Sequence, residues 1–337
     1  MAYADIYNSP DKLLKDPAFY RNGFETNILK LENVIQERVD KLVEQLIKNH
    51  KSTPANMKHA FRSVSLDVIT LYTLRTSPDT TSFPFFDHPA ILAVDGTLAN
   101  LWVFKHFPTL KRVAQSLPKW LAMLVAPSSK PVLEMQQDLE KLVDTALQDA
   151  HEYDGPDSDS DLDLNVFYTM INKARVQGSS PSRVTKAYLI SEGIDLRVAG
   201  SDTVGNACTI GTRCLVRDDR LVEELEMAWP DNGNALPLER LEKLPYLTAV
   251  IKESLRLSHG VVTPMNRVVP ASSTVIVGHS IPPGTIVSIG NSFVHMNPDI
   301  FPDPTQFRPE RWLEDRDRRL DRYLVSLQGT SQLRRYQ

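Results

Sequence analysis

Hydrophobic residues recur every three or four positions over long stretches of the chain, a period that predicts amphipathic α-helices. Residues 28–48 carry this pattern with charged side chains between the apolar ones, so they are predicted to form a surface helix. Residues 54–74 are apolar on most sides, and this second helix is expected to be buried, with Pro54 in its first turn. Further helices are predicted over residues 131–152 and 182–217.

The stretch from residue 88 to residue 127 is apolar and aromatic, and Pro108 and Pro118 interrupt it. One interpretation is a set of core helices whose ends are defined by the prolines. The other is a lipophilic surface that meets a membrane or forms the entrance for an apolar substrate. The sequence leaves both interpretations open.

The pattern changes after Arg256, where short β-rich segments alternate with turn residues, as in RVVP, STVIVG and IPPGTIVSI. Because the helices precede this small β region, the fold class is predicted to be mainly α with a minor sheet. Residues 1–337 are expected to form a single domain. Residues 152–163 are strongly acidic and are predicted to be an exposed surface loop.

Composition is that of a soluble globular protein, with 42% hydrophobic and 24% charged residues. The net charge of -4 and the lack of a basic stripe predict that nucleic acid is not a partner. The two cysteines, Cys208 and Cys214, lie on different faces of a predicted helix, which favours free thiols in a reducing compartment. The N-terminus shows neither a signal peptide nor a spanning segment, so the chain as written is expected to be cytosolic.

The segment AGSDT, residues 199–203, combines a small bare stretch of backbone with an acid and a hydroxyl. Ala199 and Gly200 would allow a flat ligand or a diatomic molecule to approach the helix closely. Asp202 and Thr203 would then be able to relay a proton into that space. The alternative is a helix start, in which Ser201 or Asp202 is the N-cap residue.

Glu253 and Arg256 are three residues apart and share one face of a predicted helix. An exposed pair of this kind contributes only about 0.2–0.5 kcal/mol and would carry little meaning. Most other positions of this helix are apolar, however, so the pair is predicted to be at least half buried and to need a further partner. Arg311, in the later segment FRPERW, is the candidate for that partner.

Arg267 leads into a predicted strand, where a lone arginine often faces a carboxylate. A surface ion pair is the alternative interpretation of this residue. The histidines of the C-terminal half are scattered among turn residues and lack the spacing of metal ligands.

Taken in order, the segments AGSDT, KESLRL, NRVVP and NPDIFPDPTQFRPERW resemble cytochrome P450 sequences of the fungal microsomal type. The resemblance covers nearly the whole chain and implies the cytochrome P450 fold. It implies a monooxygenase that inserts one oxygen atom from O2 into a lipophilic small molecule at a haem iron. The implied electron donor is a flavoprotein NADPH reductase, and the implied location is the cytosolic face of the endoplasmic reticulum membrane.

The resemblance also implies a role for each candidate residue. Ala199 and Gly200 would form the oxygen-binding groove, and Asp202 and Thr203 would deliver protons for oxygen activation. Arg267 would bind a haem propionate. A structural charge triad would hold a helix against the loop beneath the haem, and its members would be Glu253, Arg256 and Arg311.

Three parts of the family pattern are missing from this sequence: the membrane anchor, a segment before Ile28 and the C-terminal haem-cysteine loop. Leu333 stands where the family places the cysteine that ligates iron, and leucine offers no lone pair to a metal. The resemblance therefore predicts haem as the cofactor but no metal ligand in this chain. The alternative function is a truncated, catalytically inactive P450-derived fragment without stable haem.

Overall fold

The computed structural model describes residues 28–74, 76–125, 129–152, 167, 185–216, 218–230, 236–260, 264–270 and 274–324. The segment before Ile28, most of the acidic loop (153–163) and Leu333 lie outside these residues. The chain divides into two compact units, residues 1–205 and residues 206–337, which are described separately. The single-domain expectation stays a prediction.

The first unit is built from helices, most of them where the hydrophobic period predicts them. Their bounds are α1 Ile28–Asn49, α2 Met57–Leu74, α3 Pro89–His106, α4 Pro108–Ser116, α5 Lys119–Val125, α6 Lys130–Glu152 and α7 Lys186–Leu215. The last of these continues beyond Gly205 into the second unit. The predictions over 28–48, 131–152 and 182–217 are therefore confirmed to within a few residues.

Helix α2 begins at Met57, so the prediction that Pro54 occupies its first turn is wrong. The physical reason is the neighbouring cap. The side-chain oxygen of Asn56 accepts the backbone N–H of His59 at 3.3 Å, and the Asn56 carbonyl accepts the N–H of Ala60 at 3.0 Å. Asn56 therefore starts the helix by satisfying an N–H that has no intrahelical partner.

Pro108 and Pro118 lie at helix boundaries between residues 88 and 127 as predicted. Pro108 occupies the first turn of a helix, where the missing N–H costs nothing, and so does Pro89, which the sequence analysis does not name. The N–H groups of Leu121 and Ala122 bond to the carbonyl of Pro118, so that proline leads into α5.

Two hydrophobic clusters form the core of the first unit. One joins α2, α6 and α7 through the side chains of Leu74, Leu139, Val143, Phe167 and Leu189. The other joins α1 and α2 to the loop that precedes α3 through Leu42, Ala60 and Phe86. Between them, the buried face of α2 is largely polar, which differs from the apolar burial that the sequence predicts. Its buried polar members are Arg62, Ser63, Asp67, Thr70 and Thr73.

Asp67 shows how a buried acid is accommodated on this helix. Its two carboxylate oxygens accept hydrogen bonds from the backbone N–H and the hydroxyl of Thr80, at 2.8 and 3.0 Å, and from those of Thr81, at 3.0 and 2.7 Å. The acid therefore holds the loop between α2 and α3 against the helix.

We expect Asp67→Ala to lower the free energy of unfolding by about 2 kcal/mol, because it leaves buried donors of Thr80 and Thr81 without acceptors. Urea unfolding followed by circular dichroism measures this change. Asp87→Ala is the matched control, because Asp87 is exposed, and it should change stability by less than about 0.5 kcal/mol. Equal effects of the two substitutions would contradict the anchoring role.

The second unit combines short helices with two small antiparallel sheets. Beyond the end of α7 its helices are α8 Arg220–Ala228, α9 Leu238–Leu241, α10 Pro245–Ser258, α11 Asn291–His295 and α12 Glu310–Glu314. Its strands are β1 Met265–Val268, β2 Thr274–Ile276, β3 His279–Ile281 and β4 Ile286–Ile289. Strand β1 pairs with β4 and β2 pairs with β3, with Met265 opposite Ile289 and Thr274 opposite Ile281.

The fold class predicted from the sequence, mainly α with a small β region, is confirmed. Within the described part of the chain, no helix has both the length and the apolar character needed to cross a bilayer.

Candidate functional site

The AGSDT segment lies in the interior of α7, with helical residues on both sides of it. The alternative interpretation, in which Ser201 or Asp202 caps the start of a helix, is therefore wrong. Helix α7 begins at Lys186, thirteen or more residues earlier. The acid and the hydroxyl of Asp202 and Thr203 are thus presented by a continuous helix.

Two carbonyls of this segment accept side-chain hydroxyl groups. The hydroxyl of Thr203 donates to the carbonyl of Ala199 at 2.7 Å, and the hydroxyl of Ser65 on α2 donates to the carbonyl of Gly200 at 2.6 Å. Ala199 and Thr203 are four residues apart, so they share one face of the helix, where Ala199 is exposed. The lone pairs of the Thr203 hydroxyl remain able to accept a hydrogen bond from a donor on that side.

The bare backbone at Gly200 is in contact with α2. A Cβ atom placed on Gly200 would lie 3.0 Å from Cγ1 of Ile69, so the absence of a side chain lets the two helices approach closely. The face that stays open to a small ligand is that of Ala199. A role for Ala199 and Gly200 in binding oxygen stays a prediction.

Asp202 belongs to an ionic network around the buried Arg62 side chain in the first unit. The Arg62 guanidinium on α2 uses Nη2 to bond Oδ1 of Asp202 and Nη1 to bond Oδ1 of Asp95 on α3, the latter at 2.5 Å. His59 Nε2 lies 3.0 Å from Oδ2 of Asp95. The Arg62 side chain is 0% exposed, so its charge is compensated by protein carboxylates alone.

Charge and burial act in opposite directions on Asp95. Burial tends to raise the pKa of this carboxyl group, but hydrogen bonds and charge from Arg62, with a smaller contribution from His59, hold the pKa below its usual value. Asp95 is therefore an anion in the folded protein at neutral pH.

The geometry leaves one oxygen of Asp202 available for chemistry. Oδ1 faces Arg62, whereas no hydrogen bond to Oδ2 is found among the residues that the structure describes. A carboxylate held at one oxygen can accept and release a proton at the other. A role for Asp202 and Thr203 in delivering protons stays a prediction.

The sequence analysis does not identify Arg62 as a partner of Asp202, although the sequence around Arg62 indicates a buried charge. It is an arginine within FRSVSLDVITLY, a helix segment whose other long side chains are mostly apolar. Gly205 on α7 makes room for it, because a Cβ there would lie 2.6 Å from Arg62 Cγ and 3.1 Å from the Arg62 backbone nitrogen. Asp95, in an apolar stretch of α3, carries a similar signal.

In the second unit, the structure brings Glu253, Arg256 and Arg311 together. Glu253 is 0% exposed and accepts from Nε and Nη2 of Arg256 at 3.0 and 2.8 Å and from Nε of Arg311 at 3.2 Å. The backbone N–H of Arg308 and the indole Nε1 of Trp312 also donate to its oxygens, at 3.0 and 2.9 Å. One carboxylate is therefore the shared ionic partner of two buried guanidinium groups.

The remaining donors of the two arginines bind backbone carbonyls of the segment between α11 and α12. Arg256 donates to the carbonyls of His295, Pro304 and Gln306 at 2.7–3.1 Å. Arg311 donates to the carbonyl of Pro302 at 2.8 Å. This segment has little regular secondary structure, so the arginines supply the hydrogen bonds that a strand or helix would supply elsewhere.

Burial lowers the pKa of Arg311, and the charge of Glu253 opposes that effect. The sequence names the three ionic members of the cluster but misses Trp312, whose position beside Arg311 in PERW is its only signal. A role of the cluster beneath a haem stays a prediction.

Arg267 lies on β1 and is exposed, with Nη1 donating to the neighbouring Asn266 carbonyl at 2.9 Å. The sequence predicts a carboxylate partner for it. A role for Arg267 towards a haem propionate stays a prediction.

Comparison with known proteins gives one consistent result. The cytochrome P450 family matches residues 7–325. The cytochrome P450 monooxygenase flvC of Aspergillus flavus is 30% identical and is aligned over 96% of this chain and 64% of its own length. The cytochrome P450 monooxygenase claJ of Penicillium crustosum is 30% identical over 90% of this chain and 69% of its own length.

The structural comparison agrees on the fold. The crystal structure of a cytochrome P450, CYP102L1, matches with a TM-score of 0.63 and 19% sequence identity, over 90% of this chain and 61% of that one. The chain thus spans roughly two thirds of the length of the relatives that it matches.

The chain belongs to the cytochrome P450 family. The resemblance drawn from the AGSDT, KESLRL and FRPERW segments is confirmed, and so is the fold that it implies. Members of this family are haem proteins, which makes haem the group against which the residues have to be tested.

The cysteines are the residues of this chain whose chemistry can be tested against a haem iron. The only thiols in the sequence, Cys208 and Cys214, are both on α7, and desolvation raises the pKa of the Cys208 thiol, which disfavours the thiolate. These two thiols therefore do not fit thiolate ligation of a haem iron.

Proposed function

We propose that this chain carries the proton-delivery and structural parts of a monooxygenase that inserts one oxygen atom from O2 into a lipophilic small molecule. Haem would supply the oxygen chemistry in such an enzyme. The observation that carries the proposal is the position of Asp202 and Thr203 on the continuous helix α7, with Asp202 held at one oxygen by Arg62. The monooxygenase names of the fungal relatives support it.

Each residue has a stated task in this proposal. Asp202 takes up a proton from solvent at Oδ2 and releases it from the same oxygen, and the Thr203 hydroxyl, whose hydrogen is bonded to the Ala199 carbonyl, accepts a hydrogen bond on its free lone pairs. Arg267 balances a propionate, and the cluster around Glu253 keeps the segment between α11 and α12 in place. Electrons come from a flavoprotein NADPH reductase, as in the family pattern.

We also propose that the protein works at the cytosolic face of the endoplasmic reticulum membrane. Helices α4 and α5 and the turn before α4 carry large apolar side chains that are mostly half exposed or more. They are Phe107, Leu110, Val113, Trp120 and Leu124. A cluster of this size on a surface helix is typical of contact with lipid or with a lipophilic substrate.

A second candidate function is a catalytically inactive member of the family that does not hold haem stably. The position of both cysteines on α7 supports this candidate, and the family resemblance implies that Leu333 takes the place of the ligand. The two candidates make different predictions for a single substitution.

We expect the purified chain, titrated with haem and reduced under carbon monoxide, to show no thiolate-type Soret band, because Leu333 cannot bind iron. Under the same conditions Leu333→Cys should give that band if the chain retains the scaffold of a monooxygenase. Leu333→Ser is the matched control and should behave like the parent chain.

A thiolate-type band from the unaltered chain would contradict the conclusion about its donor set. If Leu333→Cys gives no band although it is as well folded as the parent chain by circular dichroism, the inactive candidate holds and the monooxygenase proposal fails.

A further inference from the structure

Arg62 is shared by two carboxylates that belong to different helices. Nη1 serves Asp95 on α3 and Nη2 serves Asp202 on α7, while Arg62 itself comes from α2. Its side chain is fully buried, whereas the side chains of Asp95 and Asp202 are 42% and 28% exposed. A cation that is shielded from solvent is thus paired with two anions that are partly exposed to solvent.

The position of the guanidinium is fixed by packing as well as by charge. Gly205 lies against the stem and the backbone of Arg62, where any side chain on α7 would collide with it. The Ser65 hydroxyl ties the next turn of α2 to the Gly200 carbonyl at 2.6 Å. Because the stem cannot move away, a stronger pull from one carboxylate has to weaken the contact with the other.

Counting charges shows why the two acids must be linked. Arg62 with Asp95 and Asp202 carries one positive and two negative charges, so a single cation cannot fully compensate both anions. His59 is the other titratable group in contact with this set, with Nε2 3.0 Å from Asp95. In a poorly hydrated site, the charge on one group changes the protonation of its neighbour.

We infer that Arg62 is the positioning residue of the Asp202 carboxylate and that Asp95 on α3 competes for the same guanidinium. When Asp202 takes up a proton, Arg62 turns fully to Asp95, and the ion pair between α2 and α3 strengthens. The catalytic meaning of this linkage rests on the proposed function, but the linkage itself does not.

The test follows the titration of Asp95, because this group reports the charge state of Asp202 through Arg62. The full-length chain is labelled with aspartate carrying ¹³C at the carboxyl carbon, and the Asp95 signal is assigned by its loss in Asp95→Asn. Asp202→Asn should lower the Asp95 pKa by about 0.5 unit, because a competitor for Arg62 has lost its charge. Arg62→Met should raise it by about 1 unit or more, because the cation is gone.

Two further variants make the result specific. Arg62→Lys keeps the charge without the fork of donors, so it should raise the Asp95 pKa by less than Arg62→Met does. Asp79→Asn removes another acid of the first unit, which pairs with Arg38 and Lys41 on α1, and it should leave the Asp95 titration unchanged. A purely structural role for Arg62 would not move the Asp95 pKa in opposite directions in Asp202→Asn and Arg62→Met.

The inference is overturned if Asp202→Asn leaves the Asp95 pKa unchanged or raises it. If Arg62→Met does not fold, Asp202→Asn and Arg62→Lys still decide the question, since both keep a cation in place. No haem and no turnover enter the measurement. A negative result would leave the monooxygenase proposal standing, and failure of that proposal would leave the linkage between the two acids standing.

Discussion

Glu253→Gln is expected to lower the free energy of unfolding by about 3–5 kcal/mol, the largest loss of stability that we predict for a single substitution. Glutamine keeps the volume of the side chain but removes the one negative charge that contacts the buried Arg256 and Arg311 within the described part of the chain. The two guanidinium groups are 0% and 4% exposed, so solvent cannot replace the lost carboxylate. Urea unfolding followed by tryptophan fluorescence measures the change.

Glu314→Gln is the matched control for Glu253→Gln. Glu314 pairs with Arg308 at 2.7 Å, and both side chains are largely exposed. Removal of such a pair should cost less than about 1 kcal/mol. If Glu253→Gln costs no more than this control, the cluster is not the ionic core of the second unit.

The second large effect is a loss of stability in mild acid, caused by His295. Burial, with the nearby His259 and Arg256, lowers the pKa of His295 to about 4, from an ordinary value of 6.5. Its ring is 0% exposed and stacks on His259, with the ring centroids 5.8 Å apart. The folded state therefore holds a neutral imidazole, and the unfolded state binds the proton more readily.

The sign of the pH effect follows from this difference in proton binding. The contribution of His295 is fully present above pH 6.5 and is lost as the pH falls from 6.5 to about 4. Over that range the loss amounts to on the order of 3 kcal/mol. The measurement is the free energy of unfolding in urea at a series of pH values from 7 to about 4.

His295→Gln should remove most of the slope in this pH range, because glutamine does not titrate. His279→Gln is the control, since His279 is exposed on β3, and it should keep the slope of the parent chain. A parent-like slope in His295→Gln would assign the acid sensitivity to other groups.

Local pattern was sufficient to predict most of the fold, and its errors are also local. The apolar period predicts α1, α6 and α7 to within a few residues, and Pro108, which is predicted to interrupt the apolar stretch, begins a helix. The start of α2 was placed at Pro54, because proline suits a first turn, but the side chain of Asn56 caps the helix two residues later. Pro54 and Asn56 are both residues that favour the start of a helix. The hydrophobic period does not say which of two such neighbours is used, because this depends on the cap geometry.

Separation along the sequence decides which parts of the candidate sites are predictable. Glu253 and Arg256 were predictable, because two charges on an apolar helix have to find partners, and the pair is buried as predicted. Arg62 and Asp95 stand 33 residues apart, and Arg62 and Asp202 stand 140 residues apart. Nothing along a single sequence joins residues at such distances, so the network around Asp202 emerges only from the packing of α2, α3 and α7.

The members of the cluster around Glu253 are translated at different times. Glu253 and Arg256 are made almost together, but Arg311 follows Glu253 by 58 residues. At about 5–20 residues per second, the ribosome adds Arg311 roughly 3–12 s after Glu253. Until then α10 carries an ion pair between residues three apart that neutralises its own charges. The pairing of Glu253 with Arg256 therefore lowers the cost of burying α10 in the nascent chain. This holds before the segment between α11 and α12, which the cluster later binds, has been translated.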